Sequence, residues 1–295
     1  MEGLGPIRSA LFVPGNRPER FEKALATRAD VVIIDLEDAV PPDGKTAARR
    51  AAAEKLASAA GRRVLVRVNA MDTPHFDEDL AAVLKPGLSG LLVPKIEDER
   101  SIPDLDARMR PIEARRGLAA VPVVGLIEST GAVAAVHRIL RAPSALPRLH
   151  TLAFGAADFT FDLGVAITRD GQELAYPRAR LAVACRAAGL PGPLDTPFML
   201  DLKDLDALEA DALRAKQLGF GGKLCIHPNQ VEIVNRVFSP LPEEIRQAEA
   251  VVRAFEEARA KGSGAIQLDG KFIDKPVVER ARRVLLMARM LGAGA

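Results

Sequence analysis

Several short apolar runs in this chain carry or end in charged side chains. The run at 31–36 contains Asp35 and is followed by Glu37 and Asp38, and the run at 64–68 contains Arg67 and leads to Asn69. The run at 121–127 is followed at once by Glu128, and the run at 151–154 by Asp158 after a small Gly-Ala-Ala linker. Carboxylates at Asp35, Glu37, Asp38, Glu128 and Asp158 with one arginine among them are the ligand chemistry of a hard divalent cation. Mg2+ takes oxygen ligands, keeps several waters, and is commonly held by one or two carboxylates plus the substrate. Arg67 asks for an anion, because an arginine is rarely buried without a partner. That anion could be a neighbouring carboxylate or a substrate.

Each residue also has a plainer reading. Asp35 could be a satisfied buried carboxylate that organises backbone, and Glu37 and Asp38 an ordinary polar loop. Glu128 and Asp158 could cap the helices that follow them, where negative charge is favourable. Lys95, after the run at 90–94, could form a Schiff base if its pKa were lowered. Pro94 and the acidic stretch Glu97, Asp98 and Glu99 point instead to a charge-paired lysine. Arg17 follows the first run, Asp195 lies in the seventh and His227 follows the eighth. No HxH or HExxH spacing involves His75, His137 or His150, which argues against zinc. Cys185 and Cys225 lack the surroundings of a nucleophile or the spacing of a metal site.

The elements that must position these groups follow from periodicity. Apolar runs at 9–14, 31–36, 64–68, 90–94, 121–127, 151–154, 193–198 and 222–226 suit strands buried on both faces. Helices are predicted between and after them at 18–28, 45–60, 77–84, 98–116, 131–140, 174–188, 204–218 and 229–237. Alternating strand and helix implies parallel βαβ units, and eight of them fit a TIM (β/α)8 barrel of about 250 residues. A doubly wound sheet is the rival, but no GxGxxG follows the first strand. The seventh strand is the weakest, crowded by Pro191, Pro193 and Pro197. The barrel is assigned to 1–240. The remaining 241–295 reads as a helical extension, with a helix over 243–261, a Gly-Ser-Gly break, an irregular or extended piece at 268–274, and a last helix from Pro276 to about 291.

Composition removes other classes. Lys plus Arg total 41 against 39 for Asp plus Glu, so a formal charge of +2 gives no reason to propose nucleic acid or an anionic membrane. Aromatic residues are 4%, with no tryptophan and Tyr176 the one tyrosine, which disfavours a base-stacking platform. No apolar run approaches the ~20 residues of a membrane span, and residues 1–9 lack the apolar segment of a signal peptide. A cytoplasmic enzyme is the expectation.

The motifs SALFVPGNR (9–17), IDLEDAV (34–40), RVN (67–69), VPK (93–95), LIES (126–129), FGAAD (154–158), KLCIHP (223–228) and DGKFIDKP (269–276) together resemble the citrate lyase beta subunit-like group of the HpcH/HpaI aldolase superfamily. Malyl-CoA and citramalyl-CoA lyases are relatives in that superfamily. The likeness runs from about residue 8 to 290, and the motifs are specific in combination. It implies a TIM barrel holding Mg2+ through Glu128 and Asp158, with Arg67 on the oxo-acid carboxylate or its oxyanion. Glu37 and Asp38 match residues that contact metal-bound waters. Asp274 matches a lid aspartate that reaches a neighbouring subunit's site and exchanges a proton with the acyl-thioester methyl. A homotrimer, or a hexamer of paired trimers, is implied. One departure is Ala157, where many relatives carry an acidic residue beside the metal aspartate; it bears on substrate choice, since the metal ligand itself is kept.

The expected activity is therefore a Mg2+-dependent carbon–carbon lyase acting on a β-hydroxyacyl-CoA thioester and releasing acetyl-CoA and a 2-oxo acid. Arg67, Asn69 and Lys95 are expected to bind substrate, and Arg17 the CoA phosphates. Alternatives are a citrate lyase beta subunit acting on an acyl-carrier-protein thioester, a malyl-CoA thioesterase or malate synthase-like enzyme, and a catalytically silent barrel.

Overall fold

The computed structural model describes residues 4–59, 61–143, 145–260, 266–268 and 270–292. The chain divides into two compact units, residues 1–236 and 237–295.

The first unit is a TIM barrel. Its strands are β1 (Ser9–Pro14), β2 (Val31–Asp35), β3 (Val64–Arg67), β4 (Gly90–Val93), β5 (Val123–Ile127), β6 (Leu149–Phe154), β7 (Leu194–Asp195) and β8 (Gly222–Cys225). They close in sequence order, each parallel to its neighbours, with β8 returning to β1. The outer helices are α1 (Pro18–Leu25), α2 (Lys45–Ser58), α3 (Phe76–Val83), α4 (Ser101–Arg116), α5 (Thr130–Arg141), the short α6 (Ala145–Arg148), α7 (Ala156–Leu163), α8 (Ala175–Ala187), α9 (Leu205–Gln217) and α10 (Asn229–Phe238).

Strand alternation sets what the barrel holds. Ala10, Val31, Ile33, Leu65, Leu92, Val124, Leu126, Ala153, Leu194 and Leu224 pack together as the core inside the ring. Side chains two residues further along a strand share that face. Asp35 therefore continues the column of Val31 and Ile33, Arg67 that of Leu65, and Glu128 that of Val124 and Leu126.

Two features depart from the sequence reading. Helix α7, directly after β6, was not foreseen, because its apolar residues do not mark one buried face: Phe159 is buried while Phe161 is 87% exposed. Strand β7 is only two residues long and shares a single register pair, Ala153 with Leu194, with β6. The prolines around it supply no N–H for a ladder.

The second unit contains α11 (Pro242–Ala260), β9 (Ile266–Leu268), β10 (Lys271–Ile273) and α12 (Lys275–Met290). Val251, Phe255, Ile273, Val278 and Ala281 form its own small core. The piece at 268–274, expected to be irregular or extended, enters an antiparallel hairpin that pairs Ile273 with Ile266. The predicted Gly-Ser-Gly break lies outside the described residues. Pro276 occupies the first turn of α12, and the Asp274 carboxylate caps that helix by accepting from the Val277 N–H at 3.3 Å.

Candidate active site

The inward columns of β2, β3 and β5 end in charge at the mouth of a cavity of about 780 Å3. Its lining includes Asp35, Asp38, Arg67, Glu128 and Asp158, with His227 beside them and Arg20 and Lys23 of α1.

Register explains the innermost pair. Asp35 of β2 lies opposite Arg67 of β3 in the parallel ladder. Arg67 grips it with two donors, Nε to Oδ1 at 2.7 Å and Nη2 to Oδ2 at 2.6 Å. Asp35 also accepts from the N–H groups of Glu37 and Ala39, at 2.9 and 3.1 Å, and so shapes the loop after β2. The plainer reading of Asp35 holds in that respect: it is a buried, satisfied carboxylate. It also aims the arginine. Arg67 Nη1 reaches Asp38 and Glu37, each at 3.1 Å, and its guanidinium carbon lies 5.0 Å from the Phe12 ring centroid. Burial opposes its charge, yet Asp35, Glu37 and Asp38 outweigh this and hold Arg67 firmly protonated.

Lys45 supports the loop from below, donating to the carbonyls of Leu36 and Glu37 at 2.8 and 2.7 Å. No sequence motif singled it out. A lysine at the start of a helix after an acidic loop is the signal that could have found it.

Glu37 is buried, and although its Oε2 lies near Arg67, no hydrogen bond reaches that oxygen. Burial is the main reason its pKa rises to about 7; Arg67 pulls it down less than burial and the other carboxylates push it up. Glu128 is raised to about 8, first by burial and then by the charge of Glu37, with Asp158 adding to it. These are carboxylates short of a counter-cation.

Glu128 does not cap α5. That position belongs to Ser129, whose hydroxyl accepts from the Ala132 N–H at 3.0 Å. Glu128 instead turns inward, where its Oε1 accepts from the main-chain N–H of Lys95 at 2.8 Å. Gly155 makes room for it: a Cβ there would meet both Cβ and Oε2 of Glu128 at 2.8 Å. Asp158 sits in the first turn of α7, exposed and without a capping bond, where the helix dipole favours its negative charge. The first N–H of that helix, from Ala156, is taken by the Thr196 hydroxyl at 3.1 Å.

Other expected contacts lie elsewhere. Asn69 is buried beside β3, its side-chain and main-chain N–H groups both donating to Asp79. Arg17 occupies the N-cap position of α1, exposed and bordering a small outer hollow. The Lys95 side chain is exposed, and none of these three residues lines the cavity. Asp195 is engaged in a separate buried cluster with Arg178, Lys223 and Asp211. His227 borders the cavity with its Nδ1 2.6 Å from Asn229 Oδ1. Asp274 belongs to the second unit.

The donor set fits a hard cation. Among the described residues no three acidic, histidine or cysteine groups converge as a complete ligand set. Mg2+ needs fewer, since it keeps several waters and takes one or two carboxylates plus substrate oxygens. Buried Glu37, which shares Arg67 with Asp35 and Asp38, buried Glu128 and exposed Asp158 together offer more carboxylate oxygen than Arg67 alone can pair.

The profile of the HpcH/HpaI aldolase/citrate lyase family matches residues 8–228, the barrel and every cavity residue described above. The chain belongs to this family. It is similar to the citrate lyase subunit beta of Leuconostoc mesenteroides subsp. cremoris, 37% identical over 95% of this chain and 93% of that one. It is likewise similar to the L-malyl-CoA/beta-methylmalyl-CoA lyase of Rhodobacter capsulatus, 34% identical over 96% and 95% of the two chains. A crystal structure of CitE from Mycobacterium tuberculosis with magnesium, acetoacetate and coenzyme A superposes with a TM-score of 0.77. It is 30% identical, covering 97% of this chain and 98% of that one. Within the HpcH/HpaI family, then, the cations that line this chain's cavity are Arg20, Lys23 and Arg67. Sequence reasoning chose Arg17 and missed Arg20 and Lys23, which lie one helical turn and nearly two turns further on. Arg20 and Lys23 are three apart within α1 and share the face that borders the cavity, whereas Arg17 is the non-helical N-cap residue (φ −127°, ψ 61°) and does not continue that face.

Proposed function

We propose that this protein is a Mg2+-dependent carbon–carbon lyase of the retro-aldol or Claisen type. Its substrate is a β-hydroxyacyl-CoA thioester such as malyl-CoA or citramalyl-CoA, and its products are acetyl-CoA and a 2-oxo acid. The observation that carries this reading is the excess of inward-facing carboxylate over cation around a cavity large enough for a thioester and its acid.

Glu128 and Asp158 would hold the metal. Bound there, Mg2+ supplies Lewis-acid stabilisation of negative charge developing on substrate oxygens. Arg67 is a fixed cation at the same place, pre-oriented by Asp35, and stabilises the oxo group as it forms and its carboxylate. Glu37 and Asp38 flank the guanidinium and fix its position. A carboxylate lining the cavity takes up the substrate hydroxyl proton as the carbon–carbon bond breaks, leaving the oxo acid and an acyl-CoA enolate. Asp274 of a neighbouring subunit, in a homotrimer or a hexamer, donates the proton that the enolate carbon takes up. In the reverse condensation it removes that proton. Arg20 and Lys23 meet the phosphates of CoA at the cavity rim in place of Arg17. A cytoplasmic site of action suits the two free, buried thiols.

The test is to incubate the protein with acetyl-CoA and either glyoxylate or pyruvate, with Mg2+ and with EDTA, and to identify products by mass spectrometry. A malyl or citramalyl thioester formed only with metal supports the reading. Free malate with CoA identifies a thioesterase or synthase outcome. No product from metal-loaded protein, with turnover of a citryl thioester on an acyl carrier protein, assigns it as a citrate lyase beta subunit. Asp274→Asn keeps a capping oxygen for α12, so it separates proton transfer from helix stability. Wild-type cleavage in that variant, measured by CoA-ester release, would remove Asp274 from the mechanism.

A further inference from the structure

Lys95 is the one non-glycine residue with positive φ among the described residues, at 53°. A side chain rarely adopts that left-handed conformation, because Cβ crowds the adjoining carbonyl. Its location gives the strain a purpose. Strand β4 ends at Val93, and Pro94 follows with no N–H to offer. At Lys95 the chain turns, and two successive N–H groups leave in different directions. That of Lys95 donates to Glu128 Oε1 at 2.8 Å, and that of Ile96 returns to the β5 ladder at the Leu126 carbonyl, 3.2 Å away. Ile96 is fully buried, its Cγ1 3.3 Å from where a Cβ on Gly125 would lie, so the turn is clamped on its far side. The Lys95 ammonium makes no bond in this turn, although its positive charge reaches Glu37 and acts to lower that carboxyl's pKa. The Lys95 side chain is exposed, does not line the cavity, and makes no ion pair within 4.0 Å among those found in the described residues.

We infer that Lys95 is a positioning residue that acts through its backbone: the left-handed turn points its N–H at Glu128 Oε1 and leaves the other carboxylate oxygen for the metal. This rests on the reading of Glu128 as a Mg2+ ligand. Glycine, free to adopt positive φ, can replace lysine there, and a β-branched residue cannot without moving the N–H.

The experiment compares full-length wild type, Lys95→Gly and Lys95→Val, using Mn2+ as the probe. Metal affinity is read from the electron paramagnetic resonance signal of free Mn2+ without substrate, and thermal midpoints are read in EDTA. Lys95→Gly is expected to bind Mn2+ within about threefold of wild type and Lys95→Val at least about tenfold more weakly, the scale of losing a group that orients a ligand. Circular dichroism checks that both variants are folded. Equal weakening of the two variants would overturn the inference, since the ammonium would then be the requirement. Wild-type affinity in Lys95→Val would overturn it as well. If wild type takes up no Mn2+, the metal reading of the site fails separately, and the midpoints still decide the turn. Glycine at or above wild type with valine below it supports the turn, and equal midpoints overturn it.

Discussion

Two aspartate–cation couples lie directly opposite each other in neighbouring strands of the barrel. Asp35 faces Arg67 between β2 and β3, and Asp195 faces Lys223 between β7 and β8. Alternation sends them to opposite sides. Asp35 and Arg67 share the face of Ile33 and Leu65 and point into the ring, while Leu194 and Leu224 take the inward positions in β7 and β8, sending Asp195 and Lys223 outward. The outward couple is completed by Arg178 of α8 and Asp211 of α9. Arg178 bridges Asp195 and Asp211 at 2.9 Å each, and Lys223 bridges the same carboxylates at 2.5 and 2.6 Å. Two buried cations meet two buried anions, and a third, half-exposed cation, Arg214, lies 3.6 Å from Asp211, so no carboxylate of the group is in excess. The inward couple is not balanced. Arg67 meets Asp35, Glu37 and Asp38, with Glu128 and Asp158 at the same cavity, and Arg20 and Lys23, which also line it, still leave the carboxylates in excess. Balance marks the group that ties helices to a two-residue strand, and imbalance marks the group that awaits a ligand.

The sharpest break in this comparison is Lys223→Met. It removes one buried cation from the closed cluster and leaves two buried carboxylates sharing Arg178, with only the half-exposed Arg214 at 3.6 Å from Asp211 besides. Such a loss costs about 3–5 kcal/mol, read as a fall in urea unfolding free energy. Turnover per folded molecule should stay near wild type, because the cluster faces away from the cavity.

Glu128→Gln is expected to do the opposite. Removing a proposed metal ligand should lower turnover by at least about a hundredfold, beyond the usual loss for a group that only orients a ligand. Thermal stability measured in EDTA should hold, because burial already raises the Glu128 carboxyl to about 8 and a neutral amide of the same shape can still accept from the Lys95 N–H. A fall in both would mean Glu128 is structural, and the contrast with Lys223 would collapse.

Acid separates the two clusters next. Burial pushes the Asp211 carboxyl up, but Lys223 and Arg178 outweigh it and hold it at about 2. Its folded pKa lies below the ordinary aspartate value, so its stabilisation is present above pH ~4 and is lost as pH falls toward about 2, on the order of 2 kcal/mol. Urea titrations across that window should show it, and Asp211→Asn should flatten the dependence.

Much of this was legible in the sequence, and parity explains both the reach and the limit of the reading. The barrel followed from eight apolar runs, and Asp35, Arg67 and Glu128 stood out as charges at the ends of those runs. Asp195 looked the same by that criterion. What distinguishes it is the face it occupies in a two-residue strand, which alternation cannot register over so short a run. Helix α7 escaped because Phe161 is exposed, so its apolar pattern followed no buried stripe. Partners of Asn69 and Arg178 come from the helices that follow, Asp79 ten residues on and Asp211 thirty-three, and only folding brings them together.

The smallest expected effect lies at Gly155. A methyl group there would press on Cβ and Oε2 of Glu128 at 2.8 Å, closer than such contacts normally come. One of the two contacts is to Cβ, the near end of the side chain, so the glutamate cannot yield by a swing of its carboxylate alone and the bond from the Lys95 N–H to Oε1 is disturbed with it. Gly155→Ala should therefore weaken Mn2+ binding by about tenfold, as displaced ligands typically do, while the closed cluster and the barrel stay intact. The check is Mn2+ affinity alongside urea unfolding. A loss of stability with unchanged affinity would place the close approach of Gly155 in the packing of the barrel and not in the seating of its metal carboxylate.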